Sequence, residues 1–198
     1  MRASRIVLFA ISAVLIAAVR DSHAEAWKSF DSKVERFRIR YPASWNLLKF
    51  WDGDSRSPEY LDIINFPESD ALKGVFLTSA GAEIRVGRAP SDVRTIEAWI
   101  ARGAGLVEKV DQREIRIRTP AKHGCTRLVR LVTRGETGPD GGSFLYTEYY
   151  CLADSALYVI ALHHWEDNPD REKLQAITLK MALSLRSWSD SAKRADDR

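Results

Sequence analysis

Residues Lys122–His164 read KHGCTRLVRLVTRGETGPDGGSFLYTEYYCLADSALYVIALHH. Two long segments rich in Val, Leu, Tyr and Phe are joined by Arg134-Gly-Glu-Thr-Gly-Pro-Asp-Gly-Gly142, and a third follows the short break Leu152-Ala-Asp-Ser-Ala156. β-Branched and aromatic residues in the segments, with Gly, Pro and Asp between them, predict an antiparallel meander. Folding the first hairpin so that Arg134 faces Gly142 sets Leu131 opposite Leu145 and Cys125 opposite Cys151. The chain has 2 cysteines, and both fall here. Opposed residues on antiparallel strands approach to about 4.5–5.5 Å at Cα, within reach of a disulfide. A Cys125–Cys151 bond is therefore expected, the alternative being two buried thiols acting as small hydrophobes. A one-residue slip would turn one cysteine to the other face.

The N-terminus has the form of an export signal. Met1, Arg2 and Arg5 precede an apolar run of 14 residues, Ile6–Val19, and Ser22-His-Ala24 supplies small residues for cleavage. The run is shorter than the roughly 18 residues of a membrane-spanning helix. Residues 1–24 are read as a signal peptide removed after Ala24, the alternative being an uncleaved anchor; no membrane span is expected after cleavage. Two cysteines in an exported chain favour the bonded state, and the expected compartment is periplasmic or secreted.

The remaining 174 residues suit one domain (25–188) followed by a polar, disordered tail (189–198). Of 30 Lys+Arg and 27 Asp+Glu, removal of Arg2, Arg5, Arg20 and Asp21 leaves 27 and 26, a net charge of +1. So small an excess argues against a nucleic-acid partner. Hydrophobic residues make up 45% of the chain, enough for a real core.

Upstream of the meander, Val34–Tyr41 alternates: Phe37, Ile39 and Tyr41 point one way, and Arg36, Arg38 and Arg40 the other. Ser44–Trp51 is read as the next strand, antiparallel to it across a turn containing Pro42. Tyr60–Phe66 and Ala82–Gly87 are further strands. A helix is expected from Pro90, with Ser91 as N-cap, a stripe of Val93, Ile96, Trp99 and Ile100, and Gly103-Ala-Gly105 as its end. Leu106–Arg118 reads as a strand, regular from Glu114. The last helix is capped by Asn168 with Pro169 at its first position. Leu174, Ile177, Met181, Leu185 and Trp188 line one face, and Leu179 and Leu183 the other. Strands interrupted by one helix and closed by another define an α+β domain, a mostly antiparallel sheet with helices packed on it.

The run Phe37-Arg-Ile-Arg-Tyr-Pro-Ala-Ser-Trp45 resembles the opening motif of the PsbP-like family, named for an extrinsic protein of photosystem II, in which an amphipathic strand ends in Tyr-Pro-x-x-Trp. The order of strands, helix, meander and C-terminal helix is similar over nearly the whole 25–188 segment. The resemblance implies an α/β/α sandwich around an antiparallel sheet, and a binding or assembly role rather than catalysis. It brings no metal ligands and no cofactor.

The densest set of ligand-type side chains is His163-His164-Trp-Glu-Asp167. Neighbours on a strand face opposite ways, so the two histidines do not share an ion, and no metal site is expected. No Gly-x-Ser-x-Gly turn or triad motif occurs, and Gly138-Pro-Asp-Gly-Gly142 lacks the Gly-Lys-Ser/Thr ending of a phosphate loop. The alternative to a non-catalytic protein is a hydrolase or metal-dependent enzyme using His123, His163 or His164. It would need a concave pocket where a histidine meets a carboxylate or thiol. A further possibility is a structural subunit whose helix face around Leu179 and Leu183 docks a partner. The candidate surface for an unknown protein or an anionic envelope component is the arginine row Arg36, Arg38, Arg40, Arg116 and Arg118, which Arg85, Arg127 and Arg130 could extend. Its alternative is mixed pairing, with Glu83, Glu114 and Glu148 interleaved as cross-strand ion pairs.

Overall fold

The computed structural model describes residues 25–50, 60–71, 81–103, 108–117, 124–137, 142–153 and 156–187. The expected signal peptide, the expected tail, Arg118, His123 and Trp188 lie outside these residues. The described chain forms β1 (Trp27–Ser32), β2 (Phe37–Pro42), β3 (Asn46–Phe50), β4 (Tyr60–Ile64), α1 (Glu68–Ala71) and β5 (Ala82–Arg88). These are followed by α2 (Ile96–Gly103), β6 (Glu108–Glu114), β7 (Arg127–Thr137), β8 (Ser143–Ala153), β9 (Ala156–Trp165), α3 (Arg171–Ser184) and β10 (Arg186–Ser187). Two antiparallel sheets result, of strand order β1-β2-β10 and β3-β4-β5-β9-β8-β7-β6.

The pleat of the large sheet sorts its residues by layer, since paired residues share a face. Ile84 pairs with Leu162 and Leu162 with Thr147; Val86 pairs with Ile160 and Ile160 with Tyr149. These rows join the main core together with Phe37, Ile39 and Tyr41 of β2 and Leu174, Ile177, Met181 and Leu185 of the last helix. The α3 stripe is thus buried as its spacing predicts. Leu179 and Leu183 are half-buried against the same core, and Lys180 on that side sets its ammonium 4.2 Å from the Trp27 ring centroid. On the opposite face α2 packs Ile96, with Val93 before it, over Val129, Leu131, Tyr150 and Leu157. Each such aliphatic side chain taken from water contributes about 1.5–3 kcal/mol. The architecture is α+β: α3 and the small sheet lie on one face of the large sheet, α2 on the other.

Several boundaries differ from the sequence expectation. β2 and β3 are not neighbours, because β2 pairs with β1 and β10 and β3 with β4. Pro42 has no N–H to continue the ladder, and Trp45 N donates to Pro42 O (3.1 Å). Tyr41 and Trp45 are both buried in the main core, so Tyr-Pro-x-x-Trp carries the chain between sheets rather than back along one. α2 starts at Ile96, not at Pro90; Thr95 Oγ1, not Ser91, accepts the Ala98 N–H (3.1 Å) as its cap. α3 starts at Arg171, with Asp170 at the cap position. Asn168 serves the turn before it, accepting the Asp170 N–H through Oδ1 (2.9 Å) and donating to Gly81 O (3.2 Å). β6 ends at Glu114 instead of becoming regular there, and Ile115 and Ile117 turn to pack on the main core. Every β6 residue is exposed, and a register shift lies between Lys109 and Asp111; charges and irregularity both protect an edge strand from further pairing.

The meander is present, but its first hairpin is offset by three residues. Arg134 pairs with Leu145 and Leu128 with Cys151, instead of Arg134 with Gly142. β7 runs on to Thr137, absorbing part of the segment read as loop, and the register shifts between Arg134 and Thr137. Cys125 therefore precedes β7 and reaches Cys151 from the strand entrance. The two lie at disulfide distance, S–S 2.02 Å and Cα–Cα 5.2 Å, with Thr126 N held by Leu152 O (2.7 Å). At Gly124 an added Cβ would stand 2.5 Å from Leu185 O, so only glycine lets the chain pass this close to the end of α3 on its way to the pair.

Candidate functional site

The outer face of the large sheet carries three rows of paired residues. Glu83 pairs with His163 and His163 with Tyr146; Arg85 with Ala161 and Ala161 with Glu148; Gly87 with Val159 and Val159 with Tyr150. The small residues in the middle of this grid leave a cavity of about 280 Å³, lined also by Arg88 and by Trp99 of α2.

Two carboxylates share one guanidinium at the rim. Arg85 donates to Asp62 (3.0 Å) and Glu83 (2.9 Å), whose side chains are 4% and 6% exposed. Burial raises Asp62 above the ordinary carboxylate range, against the pull of Arg85. Burial pushes Glu83 the same way, but His163 and Arg85 outweigh it and hold it low. His163 Nδ1 is 3.6 Å from Glu83 Oε2, an ion-pair distance too long for a hydrogen bond, and its ring stands edge-on to Tyr146. Glu148 accepts the Tyr150 hydroxyl (2.6 Å). Burial and this carboxylate push the Tyr150 phenol up, so it remains a donor.

The histidines separate as strand alternation requires. His163 lines the outer cavity, whereas His164 is fully buried on the inner face. His164 Nδ1 lies 2.6 Å from Trp165 O; a carbonyl only accepts, so Nδ1 carries the proton and Nε2, which has no hydrogen-bond partner among the described residues, is the bare nitrogen. Burial lowers the His164 pKa. The sign of the pH effect follows. Above the ordinary histidine pKa of about 6.5 folded and unfolded states are both neutral at this residue. Below it only the unfolded chain takes up a proton, so stability falls. Urea midpoints measured between pH 7.5 and 5.5 should drop for the native chain and drop less for His164→Leu; parallel curves would remove His164 as the cause. Among the described residues no three His, Cys, Asp or Glu side chains converge as metal ligands.

The arginine row divides. Arg38 makes a bidentate pair with Asp31 (2.5 and 2.8 Å). On β7, Arg127 bridges Glu97 and Glu114, Arg130 meets Asp111, and Arg134 joins Glu108 and Glu166. With Arg85, these are the mixed pairs set out above as the alternative to a basic field, although Glu148 takes a tyrosine instead of an arginine. Arg40 is exposed on β2, one pleat from Arg38, and Arg186 of β10 stands opposite Arg38. Arg186 donates to the carbonyls of Leu183 (3.3 Å) and Leu185 (2.8 Å) at the end of α3, a favourable place for a cation. Arg116 is exposed in the segment that follows β6. The cavity escaped the sequence reading, because His163 and Glu83 meet only once β5 and β9 are known to pair.

The layers define the class: the chain has the PsbP-like α+β fold. The solution structure of cyanobacterial PsbP (CyanoP) from Synechocystis sp. PCC 6803 is similar to it at a TM-score of 0.51 and 11% sequence identity, over 87% of this chain and 99% of that one. A crystal structure from Bacteroides thetaiotaomicron VPI-5482 aligns at a TM-score of 0.46 and 11% identity, over 83% of this chain and 49% of the other. No protein-family model and no curated protein matches the sequence. Among the described residues no helix is long and apolar enough to cross a membrane.

Proposed function

We propose that this is an exported, non-catalytic binding or assembly protein of the cell envelope, docking an anionic partner on the outer face of β2. The PsbP-like fold carries the reading, since the family resemblance implies binding rather than turnover. Cys125 and Cys151 at bonding distance suit an oxidising compartment. On β2, Arg40 has no ion-pair partner among the described residues and stands beside Arg38 and Arg186; adjacent guanidinium forks suit carboxylate or phosphate. Arg38→Glu would also set a like charge against Asp31, so Arg40→Glu is the cleaner probe. Capture of a partner from the envelope fraction should fall roughly tenfold with Arg40→Glu, an amount equal to one charged hydrogen bond, and stay unchanged with Arg116→Glu. Equal capture by both variants and the native chain would discard the β2 face.

The enzyme alternative gains one observation: the outer cavity brings His163 beside Glu83, the meeting of histidine and carboxylate that catalysis would require. Among the described residues the cavity lining contains no Ser, Thr or Cys, so the base at His163 would act on water or directly on substrate. Ester or phosphoester turnover abolished by His163→Ala, and untouched by Arg40→Glu, would favour this alternative.

A further inference from the structure

The outer-face cavity is lined by one carboxylate that the fold leaves without a cation. Elsewhere on the large sheet, Arg85 takes Asp62 and Glu83, Arg127 takes Glu114, Arg130 takes Asp111 and Arg134 takes Glu108. Glu148 of β8 is half-buried and, among the described residues, meets only a neutral donor: the Tyr150 hydroxyl, 2.6 Å from its Oε2. The strand pairing shows why the arginine on its own row does not serve it. That row runs Arg85–Ala161–Glu148–Leu131 across the sheet, so β9 separates Arg85 from Glu148 by two strand spacings, or about 10 Å. Arg85 directs its guanidinium the other way, to Asp62 of β4 and to Glu83. The cross-strand neighbours of Glu148, Ala161 and Leu131, are both apolar. Val159 of the next row and Trp99 of α2 pack into the same α2-side core. Ala161, Val159 and Gly87 keep the floor low, and Trp99 walls it. A volume of about 280 Å³ falls just under the roughly 300–1,000 Å³ of pockets for drug-sized ligands, so the occupant is small.

We infer that this cavity binds a small primary monoamine, its ammonium on Glu148 and its apolar body against Trp99, Val159 and Ala161. The ammonium supplies the charged donor that Glu148 lacks, and an indole wall beside the carboxylate adds the attraction of its ring face for a cation. An anion would meet the wrong field: Asp62, Glu83 and Glu148 stand on this face against Arg85 alone, and His163 is turned to Glu83. An uncharged molecule of the same shape would cover Glu148 from water without pairing it, at a cost in desolvation. A second ammonium at the far end of the ligand would be carried toward Arg85, so one positive charge fits and two do not. The inference goes beyond the docking reading and does not rest on it, for β2 lies over the opposite face of the large sheet. It also requires no turnover at His163.

Calorimetric titration of the purified protein at neutral pH with butylamine and 2-phenylethylamine, with their uncharged counterparts butan-1-ol and 2-phenylethanol, and with 1,4-diaminobutane tests it. The two monoamines should bind at millimolar concentration or below, and each alcohol roughly tenfold more weakly or worse, as expected for loss of one charged hydrogen bond. Glu148→Gln keeps an acceptor for Tyr150 and should erase the preference of amine over alcohol. Ala161→Leu should fill the floor and abolish binding while the circular dichroism spectrum stays native, and Arg40→Glu should leave binding unchanged. The diamine should bind no tighter than butylamine. Absence of binding by both monoamines at about 10 mM, weaker than the millimolar end of the affinity scale, would overturn the inference, as would equal affinity for amine and alcohol or amine binding that survives Glu148→Gln. Tighter binding of the diamine would overturn it as well, by showing a diffuse negative field in place of a built site.

Discussion

Replacing both cysteines by alanine should lower the stability of this protein by about 3 kcal/mol, the value the loop-entropy account gives for a crosslink of this span. The bond joins residues 26 apart in sequence, so breaking it frees a sizeable closed loop in the unfolded chain. For a chain of this size, 1 kcal/mol corresponds to about 2–4 °C in melting temperature, so the midpoint should fall by about 6–12 °C. Alanine is the proper substituent, because both cysteines are at most 1% exposed in the main core and serine would bury an extra hydroxyl. Reductant supplies the control: it should destabilise the native chain by a similar amount and leave the double variant unmoved. Melting curves of the native chain that coincide with and without reductant would show that the sulfurs are not bonded in solution.

That pair was reached in the sequence through a register three residues away from the one the chain adopts. The reason is local. Gly, Pro and Asp mark where a hairpin turns, but β7 continues through Gly135-Glu-Thr137 before turning, and an irregularity there shifts every pairing counted back from the loop. The entry of Cys125 from outside the strand compensates for the offset. The β2 face was legible for a sturdier reason: strict alternation places Phe37, Ile39 and Tyr41 in the core and leaves Arg38 and Arg40 exposed. The same alternation separated His163 from His164. β1 and β10 were not legible. Trp27–Ser32 has no clean alternation, and two-residue β10 owes its existence to the end of α3, which brings Arg186 beside Arg38. The cavity was invisible for a related reason. Its floor is Ala161 and Gly87, residues that announce nothing by themselves and matter only once three strands are set side by side.

The largest single-residue effect is expected at Phe37. This ring is 1% exposed and stands edge-on to Tyr158 of β9 with centroids 5.8 Å apart, so it joins the small sheet to the middle of the large one. On the other side it meets Phe30 of β1 at 6.4 Å. The Tyr158 hydroxyl reaches back to the carbonyls of Glu35 and Arg36 (both 3.3 Å), which fixes the turn entering β2. Arg36 takes a positive φ of 57° in that turn, an unfavourable conformation for an arginine that surrounding contacts must hold. Phe37→Ala would open a ring-sized void between the two sheets and should cost about 3–5 kcal/mol, a large part of the roughly 5–15 kcal/mol by which a domain is stable. Phe30 is only half-buried, so Phe30→Ala should cost clearly less, and Phe37→Leu should recover much of the loss. Urea unfolding gives the magnitudes, and amide exchange shows where they act. If Phe37 pins the hairpin, exchange at β1 and β2 should accelerate ahead of that at β8 and β9. A loss below about 1 kcal/mol, the ordinary cost of an average substitution, would mean that the small sheet is held by α3 and Ser184 instead, through the contact of its Oγ with Arg40 N (2.9 Å).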